Sequence, residues 1–512
     1  MSGLPEHGGS TAQVGQPFDA RAFRDVQARL VDVWPDMTFR SMTGTPRTVL
    51  VISSLSLELP AHLAPLVGAY EERYLCYVLL LAKSQNTRVV YVTSQPMLPR
   101  LVDYYLGLIP GLDPAQLRER LTVVSLGDNT FRPLTQKILE RPRVVRRLRE
   151  LMSGPGRTLM VPFVTSELEA RLGLAIDVPV YGPDPSLHRL GTKAGSREVF
   201  AAAGVLAPCG VEGVGSLADI VAAVSEVRAR SAAQAVMLKV NDGVSGLGNA
   251  VVRLQGAATA AEVQGRVLDL QTENPNLSTE AYLAEFERST GVVEELLVGD
   301  ELTSPSVQLR ASPLREVEVL STHDQVLGGP LQQTYLGCKF PADERYASVL
   351  TEPAAAIGGE LAARGVIGRF AIDFVVTRDG DGPWQALPVE INLRNGGTTH
   401  PMLTLQALTD ASFDAGTGEL VSQGRAKRYL ATDHLEHPLF STLTPDDLLD
   451  VIDENGLGWD DETQTGVAFH MASAIGIAGH VGVTAIGDSN RQAQWLYDAA
   501  KHALIGAAAG ED

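Results

Sequence analysis

Four short apolar runs separated by amphipathic segments constrain the fold of the first third of the chain. The runs are TVLVISSL, RVVYVTS, LTVVSL and TLMVPFV, and a helical pattern from Phe18 to about Trp34 precedes them. Continuous runs of this kind are typical of buried parallel strands joined by crossover helices. We therefore predict a Rossmann-like α/β domain over residues 17–184. Because no GxGxxG follows its first strand, the pattern does not predict a dinucleotide site.

The remaining segments predict two more domains, so the whole chain is expected to be a multidomain α/β and α+β protein. A turn-rich break at YGPDPS leads into the second domain, residues 185–424, which contains the strands GRFAIDFVV and WQALPVEINL and their hairpin loop TRDGDGP. Residues 425–512 predict a small α+β C-terminal domain with helices at TPDDLLDVIDENG and RQAQWLYDAAKHAL. The Gly- and Ser-rich residues 1–16 predict a disordered tail.

The net charge, the apolar runs and the cysteines indicate which partners and which cellular compartment to expect. The formal net charge of -19 argues against a general nucleic-acid surface, because phosphate binding needs clustered Lys and Arg. No run approaches the roughly 18 apolar residues of a membrane span. Cys76, Cys209 and Cys338 are far apart and form no CxxC pair, as expected in a reducing compartment. We expect a cytoplasmic protein without nucleic-acid or membrane partners, and a homodimer as its assembly.

The first segment that could bind a ligand or take part in catalysis is the glycine-rich stretch LKVNDGVSGLGNAVV. Lys239 ends an apolar strand, and Asp242, Gly243, Gly246 and Gly248 lie in the turn before the next strand. Glycines allow backbone N–H groups to close around phosphate oxygens. The segment is neither a P-loop nor a Rossmann fingerprint, because it lacks GK[ST] and a strand follows it. An ordinary hairpin turn explains the loop alone equally well.

The second segment is the late strand pair, with Asp373 in FAIDFVV and Glu390 and Asn392 in PVEINLRNGG. Strand alternation places residues 390 and 392 on one face and the apolar Val389 on the other. Carboxylate and amide oxygens that face Asp373 across a hairpin suit Mg²⁺ holding phosphates. Arg394 and two glycines follow at once, which suits a developing phosphoryl charge. A solvated strand face remains the alternative for the acidic set.

Other polar residues near these segments carry weaker signals. Acidic residues flank the apolar run in VVEELLVGDE, and the pattern alone indicates capping or surface positions for Glu294, Glu295 and Glu301. Four polar residues in predicted turns are candidates for contacts with a substrate: His323, Gln325, Lys339 and His400. An ordinary loop position is the simpler interpretation of each of the four.

The order of these segments resembles that of the ATP-grasp superfamily. A helical lead-in with a lysine, TKAGSREVFAAAGVLAP, is followed by a strand lysine with a glycine-rich loop, an acidic hinge, an Asp and a Glu-x-Asn. The resemblance implies a Rossmann-like pre-ATP-grasp domain before a two-lobed ATP-grasp domain. It also implies ATP and Mg²⁺, or Mn²⁺, as cofactors.

The resemblance implies roles for the residues that match the family's pattern. The lysines expected to contact ATP phosphates are Lys193 and Lys239. The loop expected to cover the phosphates comprises Asp242, Gly243, Ser245, Gly246 and Gly248. The hinge expected to read adenine comprises Glu294, Glu295 and Leu297, with Glu301 holding the ribose hydroxyls. The implied metal ligands are Asp373, Glu390 and Asn392.

The same resemblance implies three catalytic cations, Lys239, Arg394 and Arg369. Arg369 departs from the family's pattern, since it lies four residues before Asp373 rather than two. Its expected contact is the phosphate or the acyl phosphate.

Five further segments resemble the pheganomycin-type peptide ligases: SPSVQLRASP, STHDQVLGGP, YLGCKFPA, NLRNGGTTHP and GIAGHVGVTAIGDS. The resemblance implies an ATP-dependent ligase that joins an amino acid-like carboxylate to the amine of an amino acid or peptide through an acyl phosphate. Such ligases release ADP and phosphate and act in natural-product and antibiotic biosynthesis. Two alternatives stay open: another acyl acceptor such as a thiol or bicarbonate, and a non-catalytic nucleotide-binding module.

Overall fold

The N-terminal part of the chain forms a parallel sheet covered by helices. The computed structural model describes residues 17–34, 45–57, 61–82, 84–109, 111–154, 156–243 and 246–510. The strands of this part are β1 (Arg47–Ile52), β2 (Thr87–Thr93), β3 (Leu121–Ser125) and β4 (Arg157–Pro162). They pair in parallel in the order β3-β2-β1-β4. This order confirms the predicted Rossmann-like α/β arrangement.

The helices of this part follow from amphipathic segments between the strands. They are α1 (Ala20–Gln27), α2 (Leu30–Val33), α3 (Val67–Glu72), α4 (Pro99–Gly107), α5 (Pro114–Glu119), α6 (Leu134–Leu139), α7 (Pro142–Met152) and α8 (Glu167–Ile176), with 3-10 turns at Ala61–Leu66 and Leu75–Ala82. All six residues of β1 are buried, because helices cover both faces of a parallel sheet. The helix predicted from Phe18 to Trp34 is two short helices instead. The predicted tail, residues 1–16, lies outside the described residues.

The next part forms a five-stranded sheet in the order β5-β9-β6-β7-β8. Its strands are β5 (Gly210–Val214), β6 (Ala235–Val240), β7 (Asn249–Arg253), β8 (Gln271–Thr272) and β9 (Gly291–Glu295). Its helices are α9 (Lys193–Ala202), α10 (Leu217–Ser231), α11 (Ala260–Leu268) and α12 (Thr279–Ser289), preceded by a 3-10 turn at Pro185–Gly191. Strands β6 and β7 form an antiparallel hairpin whose turn is the glycine-rich loop.

A larger antiparallel sheet of nine strands follows. Its strands are β10 (Glu301–Thr303), β11 (Pro305–Ala311), β12 (Val317–Gly328), β13 (Thr334–Phe340), β14 (Gly368–Arg378), β15 (Gln385–Asn392), β19 (Arg428–Glu436), β20 (Gly466–His470) and β21 (His480–Gly487). The order is β10-β14-β11-β12-β13-β19-β21-β20, and β15 pairs with β14. Helix α13 (Glu344–Ala363) buries Leu350, Ile357 and Leu361 in the same core as Phe370 and Phe374.

The segment predicted as a C-terminal domain extends this large sheet. Three small strands, β16 (Phe413–Asp414), β17 (Glu419–Ser422) and β18 (Arg425–Ala426), form a separate ribbon. The remaining helices are α14 (Thr399–Thr409), α15 (Pro445–Glu454), α16 (Ala474–Ala478) and α17 (Asn490–Ala509), with a 3-10 turn at Pro438–Thr442. Because β13 pairs with β19, the predicted boundary at residue 425 divides one continuous sheet. Among the described residues, no helix has the length and apolar character needed to cross a membrane.

The junction of β13 and β19 gives a test of this continuity. A Cβ at Gly337 would overlap the backbone carbonyl oxygen of Ala431 on the neighbouring strand. We expect Gly337→Ala to lower the free energy of unfolding by about 1–3 kcal/mol, because the strands must separate to admit the methyl group. Thermal unfolding followed by circular dichroism measures the change.

The matched control is Gly359→Ala on the exposed face of α13, where no atom lies within 4 Å of the added Cβ. A helix interior favours Ala over Gly by about 1 kcal/mol, so this variant should be as stable as the parent protein or more so. Equal stability of the two variants would show that the β13-β19 junction is not closely packed.

Candidate active site

Residues from every part of the fold line one cavity of about 250 Å³. The N-terminal domain contributes Tyr70 and Arg73, and the five-stranded sheet and its lead-in helix contribute Lys239 and Lys193. The hairpin β14–β15 contributes the acidic residues, and the C-terminal segment contributes Asp433. A second cleft of about 860 Å³ adjoins the first, since Glu390, Asn392 and Arg394 line both spaces. The structure therefore brings the predicted charged residues together from segments that are far apart in the sequence.

The antiparallel hairpin aligns the predicted metal-type residues. Asp373 lies directly opposite Glu390, and Ala371 lies opposite Asn392. The Nδ2 of Asn392 and the Nε2 of Gln325 donate to the two oxygens of Asp373, each at 2.9 Å. Burial, together with the neighbouring Glu390, raises the pKa of Asp373 to about 6. Two carboxylates and an amide thus meet at one end of the cavity.

The register contains one feature that alternation did not predict. A bulge between Asp373 and Phe374 leaves an extra residue on β15, and Val389 lines the cavity beside Glu390. The prediction that Val389 faces away was therefore wrong, because a bulge interrupts the two-residue period of a strand.

Cations lie against these acids. Lys193 begins α9, is nearly buried, and its Nζ lies 2.5 Å from Glu390 Oε1. The backbone N–H groups of Lys193 and Ala194 donate to Asn241, at the start of the glycine-rich turn. Arg394 follows β15 and lines the same cavity, where its enclosure lowers the pKa of its guanidinium despite the nearby Glu390. The lead-in helix is thus positioned by the loop that it faces.

The glycine-rich loop closes towards the large sheet. Gly246 has a φ of +76°, and a Cβ there would overlap the carbonyl oxygen of Gln333. Gly243 and Gly248 face each other across the turn, and a Cβ on either one would meet the Cα of the other. Asp242 lies on the side of the second cleft. Ser245, predicted as a phosphate contact, lies outside the described residues.

Lys239 is held by a buried acid. Its Nζ lies 2.5 Å from Glu294 Oε2, and Arg197 NH1 lies 2.9 Å from Glu294 Oε1. Burial alone would raise the pKa of Glu294, but the ammonium and the guanidinium hold that pKa below its usual range. Glu294 therefore positions Lys239 in the cavity rather than facing an open nucleotide site.

The rest of the predicted hinge lies away from the two cavities. Glu295 accepts a hydrogen bond from the backbone N–H of Cys209 at 2.7 Å. Glu301 lies on the edge strand β10 and is paired with Arg345 and Arg378. Neither these two acids nor Leu297 lines either cavity. The structure does not bring these three residues together with the lysines and the acidic hairpin.

Arg369 does not line the cavity that holds Asp373 and Glu390. Arg369 lies on the same strand as Asp373, but four residues at about 3.4 Å each separate them. It lines a mostly apolar cavity with Tyr181 and Arg310, and it lines a small cavity together with Arg394. The departure from the family's spacing therefore has a structural consequence, because the side chain points into the interface with the N-terminal domain.

The polar residues predicted in turns lie in regular structure. His323 is buried on β12, its Nε2 is 2.6 Å from Tyr429 Oη, and burial lowers its pKa to about 3. Lys339 is exposed on β13, and Gln325 contacts Asp373. His400 is buried in the first turn of α14. The turn assignment was wrong for all four. Three of them lie in β12 and β13, which are longer than their apolar runs, and His400 lies in α14.

Sequence reasoning missed Arg73, Asp433 and His470, which form a buried polar cluster with His400 at the cavity wall. A signal for Asp433 exists in β19, where every second residue is buried and Asp433 takes the place of an apolar residue. Arg73 lies between the acidic end of α3 and an apolar run, and local spacing gives it no partner.

Comparison with known proteins identifies the class. A family model described as IQCH-like, ATP-grasp matches residues 270–394, and one described as PGM1 C-terminal domain matches residues 447–500. An N5-carboxyaminoimidazole ribonucleotide synthetase in an ADP complex has a TM-score of 0.51 at 14% identity, covering 92% of this chain and 99% of its own. Biotin carboxylase from Campylobacter jejuni has a TM-score of 0.51 at 13% identity, covering 87% and 88%. The fold is an ATP-grasp fold.

A curated relative narrows the class. The L-propargylglycine–L-glutamate ligase of Streptantibioticus cattleyicolor is 31% identical over 447 residues, which cover 85% of this chain and 89% of the relative. The chain belongs to the ATP-grasp ligase family.

The buried acid beside Lys239 provides a prediction. Glu294→Ala leaves Lys239 and Arg197 without their shared carboxylate, and we expect a loss of about 3–5 kcal/mol in the free energy of unfolding. The matched control is Glu212→Ala, since Glu212 also pairs with Arg197 but its side chain is 44% exposed. That loss should stay below about 1 kcal/mol. Urea denaturation compares the two, and equal losses would contradict a buried role for Glu294.

Proposed function

We propose that this ATP-grasp ligase joins an amino acid-like carboxylate to the amine of an amino acid or peptide, with ATP consumed to ADP and phosphate. The observation that carries the proposal is the single cavity in which Asp373, Glu390 and Asn392 face Lys193 and Lys239. Acidic oxygen donors and cations in one enclosed space suit a nucleotide phosphate chain with its metal ion.

The donor set fits Mg²⁺. Mg²⁺ prefers carboxylate, carbonyl and water oxygens, which Asp373, Glu390 and the Asn392 amide can provide. Burial and the nearby Glu390 raise the pKa of Asp373 to about 6, and a divalent cation between the two carboxylates would remove their repulsion. When bound, the ion supplies neutralisation of phosphate charge. Mn²⁺ has the same oxygen preference and is an alternative.

The protein's own cations act on the phosphoryl group. Lys193 and Lys239 each rest on a carboxylate at 2.5 Å and are therefore held in place before the nucleotide arrives. The glycine-rich loop would close its backbone N–H groups over the phosphates. Arg394, beside Glu390, would neutralise the charge that develops as the γ-phosphoryl group leaves ADP.

The proposed reaction has two steps. An oxygen of the substrate carboxylate attacks the γ-phosphorus, the bond to the ADP oxygen breaks, and an acyl phosphate forms. The amine then attacks the acyl carbon, the bond from carbon to the phosphate oxygen breaks, and the amine loses a proton. Phosphorylation is required because oxide is a poor leaving group at neutral pH.

Three groups near the acidic hairpin are candidate donors to the oxyanion of the second step: Arg394 and the backbone N–H groups of Gly396 and Gly397. The backbone N–H of Gly396 donates to Thr399 Oγ1 at 2.9 Å, so it is not directed at the substrate. Gly397 faces the Tyr335 ring, where a Cβ would overlap the ring. We propose Arg394, a charged donor that lines the same cavity, as the main stabiliser of the oxyanion.

The relatives support the choice of substrates. The name of the relative from Streptantibioticus cattleyicolor gives two amino acids as its substrates, propargylglycine and glutamate. The synthetase and carboxylase structures are complexes with ADP and with a β,γ-ATP compound, which supports ATP here. We extend the proposal to small amino acid or peptide partners in natural-product, including antibiotic, biosynthesis in the cytoplasm. A homodimer without nucleic-acid or membrane partners stays a prediction.

The test is the identity of the nucleotide product. We expect ADP and phosphate only when ATP, Mg²⁺, a carboxylate and an amine are all present, with a product mass equal to the sum of the two substrates less water. Glu390→Gln should lower turnover at least about 100-fold, since it removes a charge from the metal-type site. Glu352→Gln, exposed on α13, is the control and should leave turnover unchanged.

Other products would decide between the alternatives. AMP and pyrophosphate would contradict the acyl phosphate. ADP release with a thiol or with bicarbonate, but with no amine, would indicate a different acyl acceptor. Tight ATP binding with no turnover across the amino acid panel would indicate a nucleotide-binding module.

A further inference from the structure

Arg73 is a buried arginine in the cavity wall opposite the acidic hairpin. It caps the C-terminal end of α3, its side chain is 9% exposed, and its NH1 lies 2.7 Å from Asp433 Oδ2. Tyr70 and Asp433 line the cavity beside it. The contact joins residues 360 positions apart in the chain. The reaction proposed above gives Arg73 no role.

Aromatic rings enclose the guanidinium of Arg73. Its central carbon lies 5.2 Å from the ring centroid of Tyr70, 5.5 Å from that of Tyr74 and 5.4 Å from that of Phe163. The Tyr74 hydroxyl donates to the carbonyl of Gly396 at 3.1 Å, so this enclosure is tied to the segment that follows Arg394. Rings on several sides hold a planar cation in one orientation and keep water from its faces.

Asp433 is itself fixed from behind. His470 Nε2 lies 2.8 Å from Asp433 Oδ1, and His400 Nε2 lies 3.4 Å from the same oxygen and 2.9 Å from His470 Nε2. All three side chains are buried. These three donor atoms lie close enough together to hold a metal ion. The guanidinium on the other oxygen of Asp433 disfavours a divalent cation there, since two positive groups would share one carboxylate.

The guanidinium keeps donors for a ligand. A guanidinium carries five N–H donors in a planar fork. Among the described residues, Asp433 is the hydrogen-bond partner of Arg73, and the Nε of Arg73 is buried without one. Arg394 lines the same cavity. An anion in the cavity would accept hydrogen bonds from the remaining donors of Arg73.

The sheet order separates this anion from the ATP phosphates. Asp433 lies on β19 and Asp373 on β14, with β11, β12 and β13 between them. Three strands therefore lie between the strands that carry the two carboxylates. The lysines and acids at the β14 end would hold the phosphates and the reacting carboxylate. The anion at the β19 end is then a carboxylate that does not react.

We propose that Arg73 binds the non-reacting carboxylate of the amine substrate, and that the enzyme therefore selects amino acids or peptides with a free C-terminal carboxylate. The inference rests on the proposed function. The planar fork matches a carboxylate in two parallel hydrogen bonds, which an ammonium cannot reproduce. Asp433, His400 and His470 act as positioning residues that hold the fork towards the cavity.

The test compares acids with their amides. Three amines are offered to the enzyme, L-alanine, L-glutamate and L-alanyl-L-alanine, each as the free acid and as the amide of its C-terminal carboxyl group. For the wild type we expect KM at least about 10-fold lower for the acid, as expected for a hydrogen-bonded charged pair. In Arg73→Lys the ratio of the two KM values, that of the amide to that of the acid, should fall about 10-fold.

Two further variants separate recognition from folding. Arg310→Lys changes another buried arginine, paired with Glu318 in a different cavity, and should retain the wild-type ratio. The double variant Arg73→Leu with Asp433→Leu removes the buried pair together, so no charge is left uncompensated. It should unfold cooperatively and show no preference for the acid. A ratio in Arg73→Lys equal to that of the wild type would overturn the proposal.

A binding measurement keeps the two proposals apart. Calorimetric titration of the wild type with the same six compounds, in the presence of Mg²⁺ and ADP, requires no turnover. Binding of an acid that is lost in its amide and in Arg73→Lys supports the role of Arg73 even where no ligation occurs. Turnover with equal binding of acid and amide supports the ligase and overturns the role of Arg73. Binding of none of the acids overturns it as well.

Discussion

Asp373 pairs with Glu390 across the β14–β15 hairpin, and the other charged groups of the active-site cavity are arranged around this pair. Two carboxylates on adjacent strands repel each other. Lys193 forms an ion pair with Glu390, and two side-chain amides donate hydrogen bonds to Asp373. Lys193 joins this pair to the lead-in helix, whose first backbone N–H groups donate to Asn241 beside the glycine-rich loop. The order of the strands in the large sheet then sets how far the rest of the cavity extends.

Three cations of the cavity are each paired with a carboxylate of the protein. Lys193, Lys239 and Arg73 each lie within about one hydrogen-bond length of a protein carboxylate: Glu390, Glu294 and Asp433, respectively. A buried cation without a partner would be strongly destabilising, so each carboxylate compensates its cation and holds it in one orientation. Donors that remain on these cations can then face a ligand without reorganisation, which is the condition for effective electrostatic stabilisation of a transition state.

The sequence predicted what depends on local period and spacing. Parallel strands of the first domain and the β14–β15 hairpin follow from apolar runs, and Lys193, Lys239 and Asp373 meet as the order of segments indicated. Contacts that join distant segments escaped prediction. Arg73 and Asp433 are far apart in the chain, so no local pattern connects them. Glu301 is paired with Arg345 and Arg378, which no local pattern connects with it either. Val389 is the extra residue of the β-bulge, and it lines the cavity although strict alternation assigns it to the opposite face of the strand.

The transfer of a carboxylate oxygen to phosphate tests the central claim most directly. An amino acid substrate labelled with oxygen-18 in its carboxylate is turned over with ATP and an unlabelled amine, and the released nucleotide and phosphate are analysed by mass spectrometry. The acyl phosphate account predicts that one labelled oxygen appears in inorganic phosphate and that ADP is unlabelled. Label in AMP, or unlabelled phosphate accompanied by ligated product, would contradict it.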